Sequence, residues 1–563
     1  MFEGRVRLMM LVVGLLGSQI AMAGFLDSLQ DVAGKVGDGI SDVGGDVVSN
    51  VVTKVVNKPG NTSSNKTAKV LSKVNLKLEV GEVYRGYSDE YRELHKLMYS
   101  GDFNRVNDLY VQALEDKAKK AKGFPEIDFD SGTLSMLHRL EHGTLAVDSG
   151  NVKSAVTSFG KVRALLDDEE NQGTLTSGGF GALMFGVETL SGNEELKAFK
   201  PEGYEKVLML NYQAIAYLLN GQDKAYNVSR MATDWQNKER KALAERINAA
   251  KKEFAKEQNK LSKEGAGSKE GFGAADILSI LPSVTKVFGR EYKKHHKKAN
   301  TVTSAYVNPF GSYLSGVVME FDAYSDSSSV DDSLRAYKQA LKLNPKSKVI
   351  KQAVKDLKKV DNSGSGGMKA NERLLHVIVA DGFVPEKKVL TSLIPLGGLA
   401  LPVELPLLDP VSNRVARIDV KNANGKVLAN LSVVADVEAM ALRYQKDLES
   451  ENNLRVIATL ARSYYAQKGA SSFIPGGQFL ASKLLEEFTY PDTRAWSNLP
   501  SKLYAVRIKP KAGDSVIYVS SYDRNNRRIA RKKVKLNSGH NFVYARSAAG
   551  KLNAHVAKKL WVN

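Results

Sequence analysis

Apolar residues return every three to four positions along residues 71–357, and the stretches are separated by glycine and aspartate turns. That period predicts helices joined as hairpins. One pair spans 91–114 with its turn at Gly101-Asp102, a second spans 136–166 with its turn at Gly150-Asn151, and a third spans 204–235 around Gly221. A fourth spans 313–343. A long charged helix is expected over 233–263, ended by the glycines of 265–273. Residues 361–368 (D-N-S-G-S-G-G-M) then break the pattern, and the apolar period changes to two. Strands are expected at 375–379, 416–420 and 427–433, the last two joined by Asn424-Gly425. Two helices should follow, at 437–448 and 454–467. A final set of strands is expected at 504–508, 515–522, 527–536 and 541–546.

The most specific helical spacing lies in 333–345. Ser333 stands four positions before Tyr337, Ala340 and Leu341 continue the face, and Pro345 stops the helix. A small residue lets a neighbouring helix approach, and the aromatic fills the space beside it. This is the spacing of the second helix of a tetratricopeptide repeat. Ala155 and Phe159 repeat the relation. The turns are unevenly spaced, so the expected fold is multidomain, α then β. An irregular TPR-like α-solenoid is followed by β-rich, sandwich-like modules with interspersed helices. The divisions read as 1–23 (signal peptide), 24–66 (leader and linker), 67–360 (helical domain), 361–368 (linker), 369–500 (β-rich module with helices) and 501–563 (C-terminal sandwich-like module).

Residues 1–23 read as a secretory signal: Arg5 and Arg7 precede an apolar run over 8–16, and Ala21-Met22-Ala23 supplies small residues for cleavage. No later run is long enough to span a bilayer. In 24–58, Leu29, Val32, Val36, Ile40, Val43, Val47, Val51 and Val55 recur about every 3.7 residues, on one stripe of a nearly straight helix. Gly34, Gly37, Gly39, Gly44 and Gly45 weaken such a helix, so it should form only on an apolar surface. The segment reads equally as a membrane-contacting helix or as a flexible leader, and its aspartates oppose anionic lipid.

Composition sharpens this only in part. The chain has 563 residues, no cysteine and a formal net charge of +19. Removing Glu3, Arg5 and Arg7 with the signal lowers the charge to +18. Without disulfides or thiolate metal sites, an exported protein must be held by its core. The cationic surplus favours acidic partners: anionic lipid, lipopolysaccharide phosphates, wall polymers or acidic proteins. Export makes nucleic acid the least favoured of these.

Three segments together resemble a family of bacterial exported proteins, mostly lipoproteins, with tetratricopeptide-like helices and a β-rich C-terminal part. They are Gly203-Tyr204-Glu205-Lys206-Val207 with Asn211-Tyr212, Ala214, Tyr217-Leu218 and Gly221; Asn308-Pro309-Phe310 with Tyr313-Leu314-Ser315-Gly316 and Glu320; and Asp492-Thr493-Arg494-Ala495-Trp496 with Leu499-Pro500. Residues 384–388 (V-P-E-K-K) fit between them, so the likeness covers most of the chain from about Tyr91 onward. The resemblance implies an envelope role and no settled activity. This chain lacks the lipobox cysteine, so no lipid anchor is implied.

Candidate chemistry is sparse. His138-Arg139-Leu140-Glu141-His142 spells H-x-x-E-H, which could place two imidazoles and a glutamate at a zinc ion, with Glu194 or Glu195 as third ligand. The same residues also read as a stacking repeat helix. Two basic runs could dock acidic groups: Arg290, Lys293, Lys294, Lys297 and Lys298, with His295 and His296 among them, and Arg527, Arg528, Arg531, Lys532 and Lys533. Strand alternation should divide the second run over two faces. Gly178–Gly181 and Gly476-Gly477 lack phosphate-loop context, and no serine sits in a G-x-S-x-G turn. Tyr464, Tyr465 and Trp496 read as core or inter-domain packing rather than sugar platforms. The expectation is a non-enzymatic exported scaffold, periplasmic and without cofactor. It would grip other envelope proteins through Tyr212, Tyr217, Tyr313 and Tyr337, and contact a membrane through 24–58. A zinc hydrolase built on His138 and His142 is the alternative. No nucleic-acid partner and no oligomeric state follow from the sequence.

Overall fold

The structure, a computed structural model, describes residues 78–81, 95–115, 135–175, 199–264, 274–362, 368, 372–396, 399–449, 451–453, 456, 460, 493–511 and 513–563. The signal-like segment, the 24–58 stripe, Glu194, Glu195, Tyr464 and Tyr465 lie outside the described residues, as does most of 454–467. The chain divides into two compact units: Met1–Thr67 with Ile394–Leu401, and Ala68–Leu393 with Pro402–Asn563. The second unit holds every described helix, and every described strand residue outside 394–401.

Apart from β1 and α10, helices precede strands, as the change of period predicts. The helices are α1 (Phe103–Glu115), α2 (Ser135–Ser149), α3 (Val152–Leu175), α4 (Gly203–Leu219), α5 (Ala225–Glu264), α6 (Ala274–Ala299), α7 (Phe310–Asp322), α8 (Ser329–Leu343), α9 (Lys348–Asn362) and α10 (Val437–Asp447). Helices adjacent in sequence pack on each other from α1 to α6 and again from α7 to α9, with α5 also against α7. The turns between α2 and α3 and between α4 and α5 close through Gly150 (φ +82°) and Gly221 (φ +75°), a left-handed backbone that glycine adopts without a Cβ penalty. The α7–α8 hairpin has the close approach that its spacing implies. Ser333 Oγ donates to the Gly316 carbonyl at 2.8 Å, and the Tyr337 ring lies flush against Gly316. In α2 and α3, Phe159 occupies the equivalent place against Gly143.

The strands are β1 (Leu78–Gly81), β2 (Leu375–Asp381), β3 (Glu386–Leu396), β4 (Leu399–Asp409), β5 (Arg417–Asn422), β6 (Val427–Asn430), β7 (Ser432–Asp436), β8 (Lys502–Ile508), β9 (Val516–Tyr522), β10 (Arg528–Lys535), β11 (Asn541–Ala548) and β12 (Lys551–Val556). They form sheets of order β1-β3-β4, β10-β9-β5-β6 and β12-β11-β2-β8-β7. Strands from 369–500 and from 501–563 pair together in both larger sheets, so position 500 does not separate two β modules. The expected strand 427–433 is divided: the chain leaves the four-stranded sheet after β6, and past Leu431 it enters the five-stranded sheet as β7. In the five-stranded sheet every pairing is antiparallel except β11 with β2.

The five-stranded sheet is buried on both faces. Leu375, Val377, Val379, Val506 and Val543 point to one core, which they share with Ile418, Val420, Ile517, Val519 and Val534 of the four-stranded sheet. Ile378, Ala380, Leu503, Ala505, Phe542 and Tyr544 point the other way, into the core built by the helices. The unit is therefore layered helix, sheet, sheet. The helices do not end at an open concave surface, because α2, α4, α7, α9 and α10 pack on the five-stranded sheet. An amphipathic helix buries its stripe against whatever apolar face is available, and here a two-sided sheet supplies it.

Candidate functional site

The tyrosines expected to grip a partner are not on a surface. Tyr212, Tyr313 and Tyr337 have no solvent exposure, and only Tyr217 is partly exposed. This corrects the expected contact residues. Tyr212 and Tyr313 lie on helices that pack on the sheet, and Tyr337 of α8 is covered by Gly316 of α7.

Tyr313 and Tyr337 instead close a charged seam between helices and sheet. Glu320 of α7 is fully buried and meets Arg507 of β8, whose Nε donates to Oε1 at 2.6 Å. Tyr337 donates its hydroxyl to Glu320 Oε2 at 2.9 Å, and His376 Nε2 of β2 lies 3.2 Å from the same oxygen. Arg507 Nη1 also donates to Asp356 of α9 at 2.8 Å. Burial alone would raise the Glu320 carboxyl, yet the Arg507 guanidinium and His376 hold it well below the usual carboxylate range. Burial lowers the His376 imidazole below its ordinary value, against the pull of Glu320. The Tyr313 hydroxyl lies 3.3 Å from the other ring nitrogen, Nδ1.

A second seam lies at α2. Asp148 meets the fully buried Arg546 of β11 at 3.2 Å and accepts from Tyr544 at 2.6 Å. Arg546 is stacked over Phe383 and Phe103, at 4.9 and 5.4 Å to the ring centroids. Burial raises Asp148 to about 6 against the pull of Arg546. Trp496, read as packing, is fully buried: its indole donates to Thr144 at 3.1 Å, and its backbone N–H donates to Glu205 at 3.0 Å. Glu205 is raised to about 7 by burial and by the nearby Glu202.

The H-x-x-E-H helix is α2, and its three residues are buried. His142 Nδ1 is 2.8 Å from Ser158 Oγ of α3. Glu141 Oε1 accepts from Ser497 at 3.0 Å and lies 3.3 Å from His95 Nε2. Burial raises Glu141 to about 8 and lowers His138 and His142 to about 4. His95 falls to about 3, through burial and the neighbouring His138. Among the described residues, no three histidine or carboxylate side chains are placed to hold a metal ion. The Ser497–His95–Glu141 group also lacks the order of a nucleophile relay. Ser497 Oγ lies 3.2 Å from His95 Nε2, the same nitrogen that faces Glu141, whereas a relay needs the acid on the opposite ring nitrogen.

The basic runs divide differently from each other. On α6, Lys298 donates to Asp436 at 2.7 Å and Lys294 pairs with Glu291, while Arg290, Lys293 and Lys297 stay exposed at the i, i+3 and i+7 spacing of one helix face. On β10 the strand alternates as expected: Lys532 stands opposite Val519, and Arg531 and Lys533 stand opposite Ser520 and Tyr518 on the outer face. Arg528 is opposite Tyr522 beyond a bulge, so it joins that outer face, and Arg527 lies in the preceding turn. Reading β10 alone missed Arg417 and Lys421 of β5, which stand opposite Tyr522 and Tyr518 on the other side of β9. Their R-I-D-V-K alternation was visible in sequence, but the pairing that brings them to β10 was not.

Comparison with protein-family models, with curated proteins and with solved structures returns no match to this chain.

Proposed function

We propose that the chain is a non-enzymatic adaptor of the bacterial cell envelope that docks protein partners on the outward side of its helical layer. One observation carries the reading: two of the clusters where ionisable groups converge lie inside the core, where they tie helices to sheet. Glu320 with Arg507 and Asp148 with Arg546 are used up in this way. The helical surface that remains is exposed and polar, as at Lys338, Gln339 and Lys342 of α8 and Lys351, Gln352 and Lys355 of α9. The Gly316–Tyr337 nesting supports a TPR-like character for the α7–α8 pair. The signal-like start and the family resemblance support export to the periplasm. Among the described residues no helix is long and apolar enough to cross a membrane.

The test is photo-crosslinking in living cells from residues introduced at Gln339 and Gln352. The expected result is one recurrent protein adduct from these positions, found in the periplasmic fraction. A protein present at normal level that gives no adduct from either helix would overturn the adaptor reading.

A further inference from the structure

The outer face of the four-stranded sheet gathers cationic side chains from β5 and β10. Alternate residues of β5, β9 and β10 share that face, and register places Arg417, Lys421, Arg528, Arg531, Lys533 and Lys535 on it. Within these three strands the face holds one carboxylate, Asp419, which is buried and accepts from Arg417 at 2.7 Å. Asp523, in the turn after β9, directs its carboxylate to the backbone N–H groups of Asn525 and Arg527. The face is thus strongly cationic, and Arg528, Arg531, Lys533 and Lys535 are exposed.

Two tyrosines organise these charges. Arg531 lies over the Tyr518 ring at 3.7 Å, and Arg417 lies over Tyr522 at 4.0 Å, with Lys421 also over that ring at 5.4 Å. A guanidinium stacked on a ring keeps its N–H edge free for a phosphate while its plane is held in place. Because every contributing side chain leaves one side of adjacent strands, the cations lie in one plane. They repeat about every 7 Å along β10, and the intervening β9 sets the β10 and β5 rows about 10 Å apart. Single-stranded nucleic acid needs open rings on which bases stack, and here both rings already carry cations.

We propose that this face docks on an anionic phospholipid surface, with Arg531, Lys533 and Lys535 meeting headgroup phosphates. The contact is independent of whatever binds the helices and of residues 24–58. Each cation near such a surface contributes about 1 kcal/mol, so removing two should weaken partition roughly thirtyfold.

The experiment is co-sedimentation of the full chain with vesicles of phosphatidylcholine alone, or of phosphatidylcholine with phosphatidylglycerol. Binding is expected only to the second, and it should vanish in molar salt, where the screening length falls to about 3 Å. R531Q/K533Q and K533Q/K535Q, each checked for folding by circular dichroism, should both lose roughly thirtyfold. K338Q/K342Q on α8 removes the same charge from another surface and should bind as the parent does. Equal binding to both vesicle types, retention by both sheet variants, or an equal loss in the α8 control would overturn the proposal. So would absent vesicle binding alongside single-stranded oligonucleotide binding that disappears in the sheet variants.

Discussion

Replacing Arg507 by methionine tests the single helix–sheet core most directly. The Arg507 side chain is 3% exposed and Glu320 is not exposed at all, so R507M leaves a buried carboxylate with only Tyr337 and His376 as donors. Removing one member of a buried pair costs about 3–5 kcal/mol, most of it the desolvation of the charge left behind. Asp356, the other partner of Arg507, is 28% exposed and can be solvated, so it adds little to the cost. The double variant E320Q/R507M removes the stranded charge and should recover most of the loss, giving a coupling energy of about 2 kcal/mol or more. The assay is urea unfolding near neutral pH, followed by far-ultraviolet circular dichroism for the helices and by tryptophan fluorescence, to which Trp496 contributes from the interior. Because α7, α8 and α9 share this seam with β2 and β8, both signals should shift together. The pH dependence comes from the same carboxyl. Glu320 is depressed in the fold, so its contribution is present above its unfolded value and is lost as pH falls through and below that value. The acid limb of the stability profile should therefore be shallower in R507M. A cost under about 1 kcal/mol, or helix and fluorescence transitions that separate, would refute the reasoning.

Burial raises Glu141 to about 8, so above its unfolded value the fold retains a proton that the unfolded chain has released, and stability falls as pH rises toward 8. Glu141→Gln should remove a slope of roughly 1.4 kcal/mol per pH unit near pH 7, read as the difference between wild-type and variant unfolding free energies; parallel profiles would refute the burial of a neutral carboxyl. Gly316→Ala would set a Cβ about 2.7 Å from the Tyr337 ring, so urea unfolding should show a loss of about 1–3 kcal/mol. A change within about 0.5 kcal/mol would mean that the α7–α8 hairpin is not closely nested.

Local order was legible because it depends on near neighbours along the chain. The 3.6-residue period, turn glycines such as Gly221, and the Ser333–Tyr337 spacing specify helices and their hairpins, since each acts within one or two turns of backbone. The Asn424-Gly425 turn between β5 and β6 is local in the same sense. Glu320 and Arg507 carried a weaker signal, as charged residues set among apolar ones. Nothing within a few positions of either showed that residues 187 apart would meet.

The sequence by itself determined helices first, strands second, a cationic chain and one nested hairpin. Only the tertiary structure decided what the apolar helical faces cover. An amphipathic stripe specifies that it must be buried, but not against which surface. Stacked repeats and a sheet open on both sides meet that demand equally well in sequence. Here the sheet meets it, turning Tyr313 and Tyr337 from expected contact residues into core and leaving the outer cations of β5 and β10 gathered on one face. Strand pairing joins residues more than a hundred positions apart, and a pattern confined to one strand holds no record of its neighbour.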